Sequence, residues 1–368
     1  MSPKKILIFS LSYFPLVGGA EIAIKEITDR ISDFEFDMIT MRFDKSHPKF
    51  ERVGNVNVHR VGGGLGYFSK ILFVPRAVLF SLRRKYDAYW AMMTYMLFPV
   101  SILRLLGKKV PYILTLQDGD PFTHVFGRLR ILLFRPLLSY GFRNAIKVQT
   151  ISNYLANWVR EMGYKGKLKV IPNGVNVEKF MSVGQSRALT KRAIVLITVS
   201  RLVEKNAVGD IINALKFLPE SVSLKILGTG HLGKTLKLKV KSLKLENRVE
   251  FLGFVSPQEI PVYLHNSDIF VRPSLSEGMG SSFIEAMAVG VPIIATQVGG
   301  IKDFLIDGET GLVCNVRDPE SMAKAVLRLV KDHTLRENII KNAKKMVKER
   351  YDWNLIAKRM KEEIFDKV

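Results

Sequence analysis

Eleven short apolar runs recur along the chain, with stretches of helical period between them. The runs occupy residues 5–9, 37–41, 88–91, 112–116, 147–150, 169–171, 193–199, 223–227, 249–252, 269–271 and 293–295. Helical periodicity fills intervals such as 21–32, 232–243, 282–289 and 319–331. Runs this short and apolar are strands buried on both faces. Strands that alternate with helices are joined by crossovers, so the pattern predicts parallel sheets covered by helices on both sides.

The alternation pauses once, over residues 176–192, where NVEKFMSVGQSRALTKR is polar and lacks a strong period. At roughly 100–200 residues per domain, 368 residues make two domains. The expected architecture is α/β, with two Rossmann-like doubly wound domains facing across a cleft. Residues 1–178 form the first, 179–192 a linker and 193–351 the second. The amphipathic tail, 352–368, is expected as a helix that packs back on the first domain.

Two segments imitate membrane signals. Lys4-Lys5 ahead of ILIFSLSYF has the basic and apolar parts of a signal peptide. A buried first strand has the same composition, and the Gly18-Gly19 turn that follows favours the strand. Residues 88–103 are 16 positions without charge, interrupted by Pro99. That is short of the roughly 20 that span a bilayer, so strand, loop and helix are expected there.

Lys and Arg number 56 against 34 Asp and Glu, a net charge of +22, which points to an anionic partner. The surplus is uneven: residues 51–150 hold 15 basic and 4 acidic residues, a net of +11. Within them, 66–86 and 126–143 interleave Arg and Lys with Phe, Leu and Tyr, as basic amphipathic helices on anionic membranes do. Ordinary sheet-covering helices with solvated faces read the same way. No recognised nucleic-acid motif accompanies the charge, so nucleic acid is not an expected partner. Cys314 stands alone, which excludes an internal disulfide and a Cys-built zinc site and fits a reducing, cytoplasmic location. The six His never fall at the spacing of a metal-binding helix or strand, and no metal is expected.

Ligands of open α/β sheets bind beyond the carboxyl ends of the strands, so the loops there carry the chemistry. The strongest is SLSEGMGSSFIEAMAVGVP, residues 274–292. A strand feeds a glycine-rich loop, and a helix begins near Ser281 or Ser282. Its free N–H groups and partial positive charge suit a phosphate. Gly278 and Gly280 let backbone approach a ligand. Glu277 in the loop and Glu285 one turn into the helix bracket that turn. The arrangement suits a ligand with hydroxyls at both ends and phosphates between, as in a nucleotide sugar. Two plainer readings compete: Ser282-x-x-Glu285 is also a capping box, and Glu277 also reads as a solvated loop acid. Gly290-Val-Pro292 is a helix stop before a new strand.

Arg201 and Lys205, in SRLVEKN after the run at 193–199, would bind a diphosphate and stabilise its charge as it leaves. They also read as surface cations. Gly18-Gly19-Ala20-Glu21 is a second small-residue turn entering a helix, in the first domain. Two further motifs mislead. Gly228-Thr-Gly230-His-Leu-Gly233 matches the GxGxxG of an NAD(P)-dependent oxidoreductase, but Glu250, at the right distance, opens its strand instead of ending it. Asp118-Gly-Asp120 resembles a metal-holding DxD, and is also common loop composition.

Taken together, these stretches resemble the retaining family 4 glycosyltransferases (glycosyl transferases group 1), which have the GT-B fold. The resemblance runs nearly the whole length: YFPLVGGAE, IPNGVNVEKF, SRLVEKN, LGTGHL, FLGFVSPQEIPVYLHNSDIFVRPS, and EGMGSSFIEAMAVGVPIIATQVGG through DGETGLV. Its most diagnostic piece is E-x7-E, here Glu277 and Glu285. It implies a metal-independent hexosyltransferase without cofactor. The donor would be a UDP- or GDP-sugar and the acceptor a glycan or a lipid-linked hydroxyl, reached by peripheral docking on the cytoplasmic leaflet.

The resemblance also implies residue roles. Arg201 and Lys205 look like the pair gripping the donor diphosphate, and Glu285 like the ribose-binding acid. Glu277 would touch the transferred sugar, and the backbone of Gly278, Met279, Gly280 and Ser281 would hold sugar and phosphate. Gly18 and Gly19 resemble the loop over the leaving group. Gly230, Phe254 and Val255 would line the nucleotide pocket, and Asn173 would belong to the substrate site. The acceptor hydroxyl would attack the face the diphosphate leaves, with a donor phosphate oxygen taking its proton. A non-enzymatic basic membrane- or nucleic-acid-binding protein is the alternative.

Three positions depart from the family pattern. Asn206 stands where the family lysine does, followed by Ala207 in place of glycine, so Lys205 would supply the charge from next door. Gln117 replaces a frequent histidine; it cannot act as a base, so its role there would be hydrogen bonding. Asn176 replaces an aspartate.

Overall fold

Two parallel sheets account for the alternation in a computed structural model that describes residues 3–62, 67–182 and 193–368. The strands of the first are β1 (Lys4–Phe9), β2 (Phe34–Met41), β3 (Phe50–Val53), β4 (Val56–Val61), β5 (Ala88–Met92), β6 (Tyr112–Leu116), β7 (Lys147–Thr150) and β8 (Leu168–Val170). Those of the second are β9 (Ile194–Val199), β10 (Val222–Leu227), β11 (Val249–Gly253), β12 (Ile269–Arg272), β13 (Ile293–Ala295) and β14 (Leu312–Val313). Their spatial orders are β3-β4-β2-β1-β5-β6-β7-β8 and β11-β10-β9-β12-β13-β14. In each sheet the chain starts in the middle and reverses direction across its first strand, β1 or β9. That reversal opens a crevice at the strand ends, where open α/β sheets take ligands.

Every apolar run expected as a strand overlaps one. The segment resembling a signal peptide is β1, in the middle of its sheet, and the uncharged stretch at 88–103 is β5 followed by the helix Leu97–Leu105. Among the described residues no helix is long and apolar enough to cross a membrane. The all-parallel expectation needs one correction: β3 pairs antiparallel with β4 around a turn containing Gly54 at φ 57°. In β4 the buried Val56, Val58 and Arg60 alternate with the half-exposed Asn57, His59 and Val61, so no continuous apolar run marks it.

Packing divides the chain into residues up to Asn173 together with Trp353–Val368, and Gly174–Asp352. The tail thus belongs with the first unit. Trp353, Ile356, Met360, Ile364 and Phe365 join Ile8, Phe36 and Trp90 in one core, and the Phe365 ring lies 5.0 Å from that of Trp90. The tail is not one helix. After Trp353–Arg359 it widens into a π turn at Met360–Ile364, and the neighbours Ile364 and Phe365 are both fully buried there.

The expected linker begins as structure. Asn176 caps the helix Val177–Met181 by accepting from the Lys179 N–H at 2.9 Å, a role a linker reading does not give it. The remainder of that stretch, 183–192, lies outside the described residues.

Candidate active site

In the second unit, β9 and β12 are neighbours, and the loops that leave them are tied together. The Leu275 N–H donates to the Lys205 carbonyl at 2.6 Å. The loop after β12 ends at Gly280, which caps the helix Ser281–Val289 at φ 86°. A side chain there would put its Cβ 2.7 Å from the Phe283 ring, so only glycine fits. Gly299 performs the matching service on the other side. A Cβ on it would stand 2.0 Å from the Glu277 carbonyl oxygen, and the Gly300 N–H donates to that oxygen at 2.9 Å. The backbone at Glu277 is therefore fixed from two directions.

Glu277 is buried, which excludes a solvated loop acid. Its carboxylate accepts from the Arg272 guanidinium and from the Gly278 N–H at 3.2 Å. Arg272, the last residue of β12, is buried too. It donates from Nε to Ser274 Oγ (3.2 Å), from Nη1 to Ser282 Oγ (2.8 Å) and from Nη2 to Asn206 Oδ1 (3.5 Å). Its guanidinium also lies 5.1 Å from the centre of the Phe283 ring. Burial, together with the neighbouring Arg201, brings the Arg272 pKa down to about 10 against the pull of Glu285, so it stays a cation at neutral pH.

The capping box does not form. Gly280 is the cap, and the Ser282 hydroxyl is taken by Arg272. Glu285 is thereby released for other work. It is half-buried, and burial lifts its carboxyl to about 7 against the pull of Lys179 and Arg272. Lys179 arrives on the helix Val177–Met181, which packs on Ser281–Val289.

Arg201 is exposed and Lys205 half-buried beside this network. Asn206 is buried, with its Nδ2 donating to the Arg201 carbonyl at 2.7 Å. Ala207 adopts the left-handed conformation, φ 49° and ψ 36°, which suits the glycine expected there and costs alanine about 1 kcal/mol. Met279 is buried within the loop. Gly230, Phe254 and Val255 follow β10 and β11 at the same end of the sheet, with Phe254 70% exposed.

The GxGxxG glycines have a packing role. A Cβ on Gly228 would meet the Ser200 carbonyl oxygen at 1.9 Å, and one on Gly230 the Leu202 carbonyl oxygen at 2.3 Å. Strand-to-loop packing by itself requires glycine at both positions.

The first unit collects a different set. Gly18 caps the helix Gly19–Thr28, and Ser12 Oγ donates to Glu21 Oε1 at 2.5 Å. Gln117, after β6, accepts at Oε1 from Asn173 Nδ2, after β8, at 2.9 Å. Asp118 is buried, and its Oδ2 accepts from the Thr94 N–H (3.4 Å) and hydroxyl (3.1 Å). Burial raises its carboxyl to about 6, which the Thr94 hydrogen bonds oppose. Met93, before Thr94, has φ 68° and ψ 163°, a strained conformation for a side-chain-bearing residue. No group of three or more His, Cys, Asp or Glu stands ready for a metal ion among the described residues.

Sequence reasoning missed Arg272, Lys179, Thr94 and the burial of Asp118. One signal was available: Arg272 closes an otherwise apolar strand, IFVR, five residues before Glu277.

Comparison with known proteins follows the same division. The profile for Glycosyltransferase Family 4 matches residues 17–179, and that for Glycosyl transferases group 1 matches 184–346. An uncharacterized glycosyltransferase of Methanocaldococcus jannaschii is 27% identical over 95% of this chain and 94% of its own. The alpha-monoglucosyldiacylglycerol synthase of Acholeplasma laidlawii is 24% identical over 92% and 91%. Among solved structures, Anabaena HepE in complex with UDP-glucose superposes with a TM-score of 0.80 at 22% identity, covering 99% of this chain and 100% of that one.

Proposed function

The chain belongs to the family 4 glycosyltransferases of GT-B fold, and from that premise we propose that it moves a hexose from a UDP-sugar to an acceptor hydroxyl with retention at the anomeric carbon. That it is a glycosyltransferase using a nucleotide sugar follows from the family. The observation that supports the finer reading is the fixed, buried Glu277 beside the tip of the helix Ser281–Val289, with Arg201 and Lys205 on the adjoining loop.

In this reading the diphosphate meets the free N–H groups of the helix tip and the two cations. Glu277 holds a hydroxyl of the sugar, and Glu285 holds the ribose. As the bond between sugar and phosphate breaks, charge grows on the departing oxygen, and the cations stabilise it in place of a metal or cofactor. The acceptor oxygen bonds to the anomeric carbon on the face the diphosphate leaves, and its proton passes to the departing phosphate oxygen. UDP is favoured over GDP because HepE, of the same fold, is solved with UDP-glucose.

The acceptor is proposed to sit at an anionic, cytoplasm-facing membrane surface. In the first unit Leu129, Leu133 and Phe134 are 83%, 80% and 52% exposed, between the exposed Arg128 and Arg135. Apolar side chains flanked by cations suit the boundary of an anionic bilayer. The region is not one continuous helix: it breaks into Phe122–Phe126, Leu129–Leu132 and Arg135–Asn144, the last entered through Pro136. One relative is a synthase of a glucosylated diacylglycerol.

The test is a thermal-shift panel of UDP-, GDP-, ADP- and dTDP-sugars with and without a chelator. A UDP-sugar should raise the melting temperature in both conditions, and the transfer product should keep the donor's anomeric configuration. No shift with any sugar nucleotide overturns the donor reading; an inverted product overturns retention. Flotation with vesicles containing phosphatidylglycerol addresses the acceptor, and salt-independent absence of binding removes the membrane.

A further inference from the structure

We propose that Arg272 is a positioning residue for the transfer: from the end of β12 it supplies the buried cation that position 206 lacks, and it sets Glu277 and the helix tip for the donor. The proposal rests on the nucleotide-sugar reading of this site.

Arg272 joins three segments distant in sequence. Its guanidinium reaches Ser274 and Glu277 in the glycine-rich loop, Ser282 in the first turn of the helix, and Asn206 in the loop after β9. A planar fork with five donors serves four acceptors in different directions; a lysine ammonium is a point charge and does not. The sheet itself does not call for it. The rest of β12 is Ile269, Phe270 and Val271, all fully buried and apolar. A cation at the end of such a strand is costly to bury, and it is tolerated because its partners are built around it.

The link to position 206 is direct. Asn206 turns its amide nitrogen to the Arg201 carbonyl and leaves its oxygen to Arg272. An uncharged residue at 206 and a cation at 272 are therefore two halves of one arrangement. A lysine at 206 would set a second ammonium against the Arg272 guanidinium, which already feels Arg201. A cation at the end of β12 and one at position 206 would face the same spot, so the two placements should be interchangeable.

The test compares wild type with Arg272→Leu, Arg272→Lys, Asn206→Lys and the double variant Asn206→Lys/Arg272→Leu. Each is followed by calorimetric titration with UDP, by kcat and donor KM, and by the pH profile of kcat. Arg272→Leu should lower kcat about 100-fold, the scale for losing one preorganised electrostatic group, with a much smaller change in donor KM. Arg272 also favours the ionised form of Glu285, so without it the acid limb of the profile should move upward. The double variant should recover about tenfold over Arg272→Leu, because it restores a cation to the same spot.

A kcat for Arg272→Leu close to wild type, with an unmoved acid limb, overturns the proposal, as does a double variant no better than Arg272→Leu. If Arg272→Leu does not fold, Arg272→Lys decides. It keeps the charge but loses the fork, so a fall in kcat supports positioning and a wild-type kcat overturns it. Wild type that binds no UDP overturns the nucleotide-sugar reading and this proposal with it. That result is distinct from a wild type that binds and an Arg272→Leu variant that is unimpaired.

Discussion

The carboxyl ends of the two sheets are built from opposite chemistries. Beyond β9 and β12 the side chains are ionic and interlocked: Arg272 with Glu277, Lys179 near Glu285, Arg201 and Lys205 on the adjoining loop, with the Glu277 backbone pinned at Gly280 and Gly299. Beyond β1, β5, β6 and β8 most contacts are neutral or have one charged member: Gln117 with Asn173, Asp118 with Thr94, Ser12 with Glu21. A diphosphate is held by fixed charge and by N–H groups that cannot relax away. A hydroxyl acceptor is held by donors and acceptors that match it one by one. Under the proposed reading donor and acceptor belong to different units, and that contrast can be broken from either side.

The largest effect is expected at Glu277. Glu277→Gln keeps the shape and an oxygen for Arg272 but removes the charge. Transfer should fall about 10²–10³-fold if this carboxylate orients the reacting sugar. Breaking one member of a buried pair costs about 3–5 kcal/mol when the partner is stranded, and the retained amide oxygen should hold the loss below that. Both side chains of the pair are about a tenth exposed, so solvent offers Arg272 little relief. Urea unfolding should therefore show a destabilised but folded protein, and kcat must be read well below its melting temperature. A kcat within threefold of wild type, in a folded variant, would move the chemistry out of the ionic site.

Glu285 sharpens the comparison through pH. Burial holds its carboxyl near 7, so it is about half ionised at neutral pH. A ribose hydroxyl is best met by the ionised form. UDP-glucose, which does not itself titrate in this range, should bind about tenfold more weakly at pH 6 than at pH 8. Calorimetry on Glu285→Gln should give a weaker and pH-independent affinity. A wild-type affinity flat from pH 6 to 8 would remove the carboxylate from the donor site.

How much was legible follows from how local each feature is. Most strands of the two sheets show as apolar runs because they are largely buried, as in the fully buried Tyr112–Leu116. β4 does not, because its alternate residues are half-exposed. Gly278, Gly280 and Glu277 were readable because a glycine-rich turn into a helix is written in consecutive residues. Arg272 was not, since it is one of 56 cations until folding brings positions 206, 274, 277 and 282 around it. The same limit left competing readings open. The spacing of Ser282 and Glu285 is that of a capping box, yet the hydroxyl belongs to Arg272. Asp118-Gly-Asp120 has the look of a metal motif, yet Asp118 is committed to Thr94, 24 positions earlier.

The smallest effect, and the one that probes the neutral side, concerns Asp118. Burial raises its carboxyl from the ordinary 3.8 to about 6, even though two donors from Thr94 favour ionisation. Well below pH 3.8 the group is neutral in the folded and unfolded chain alike and costs nothing. Between 4 and 6 the unfolded chain ionises and the folded one resists, so stability falls as pH rises. Above 6 the folded protein carries the buried charge, at a cost bounded by about 3 kcal/mol for a shift of two units. Asp118→Asn keeps an oxygen for Thr94 and removes the charge, so it should stabilise the protein by about 1–2 kcal/mol at pH 7.5 and by almost nothing at pH 4. Paired thermal melts at the two pH values measure this directly. Buried carboxyls shifted this far concentrate at functional sites. Asp118→Asn should then slow transfer several-fold while leaving UDP-glucose affinity unchanged, which would tie the cluster around Gln117 and Asn173 to the acceptor step. If the variant is more stable and fully active, Asp118 is only the bracket that holds Thr94 and the strained Met93 in place, and the division of labour between the units must rest on other residues.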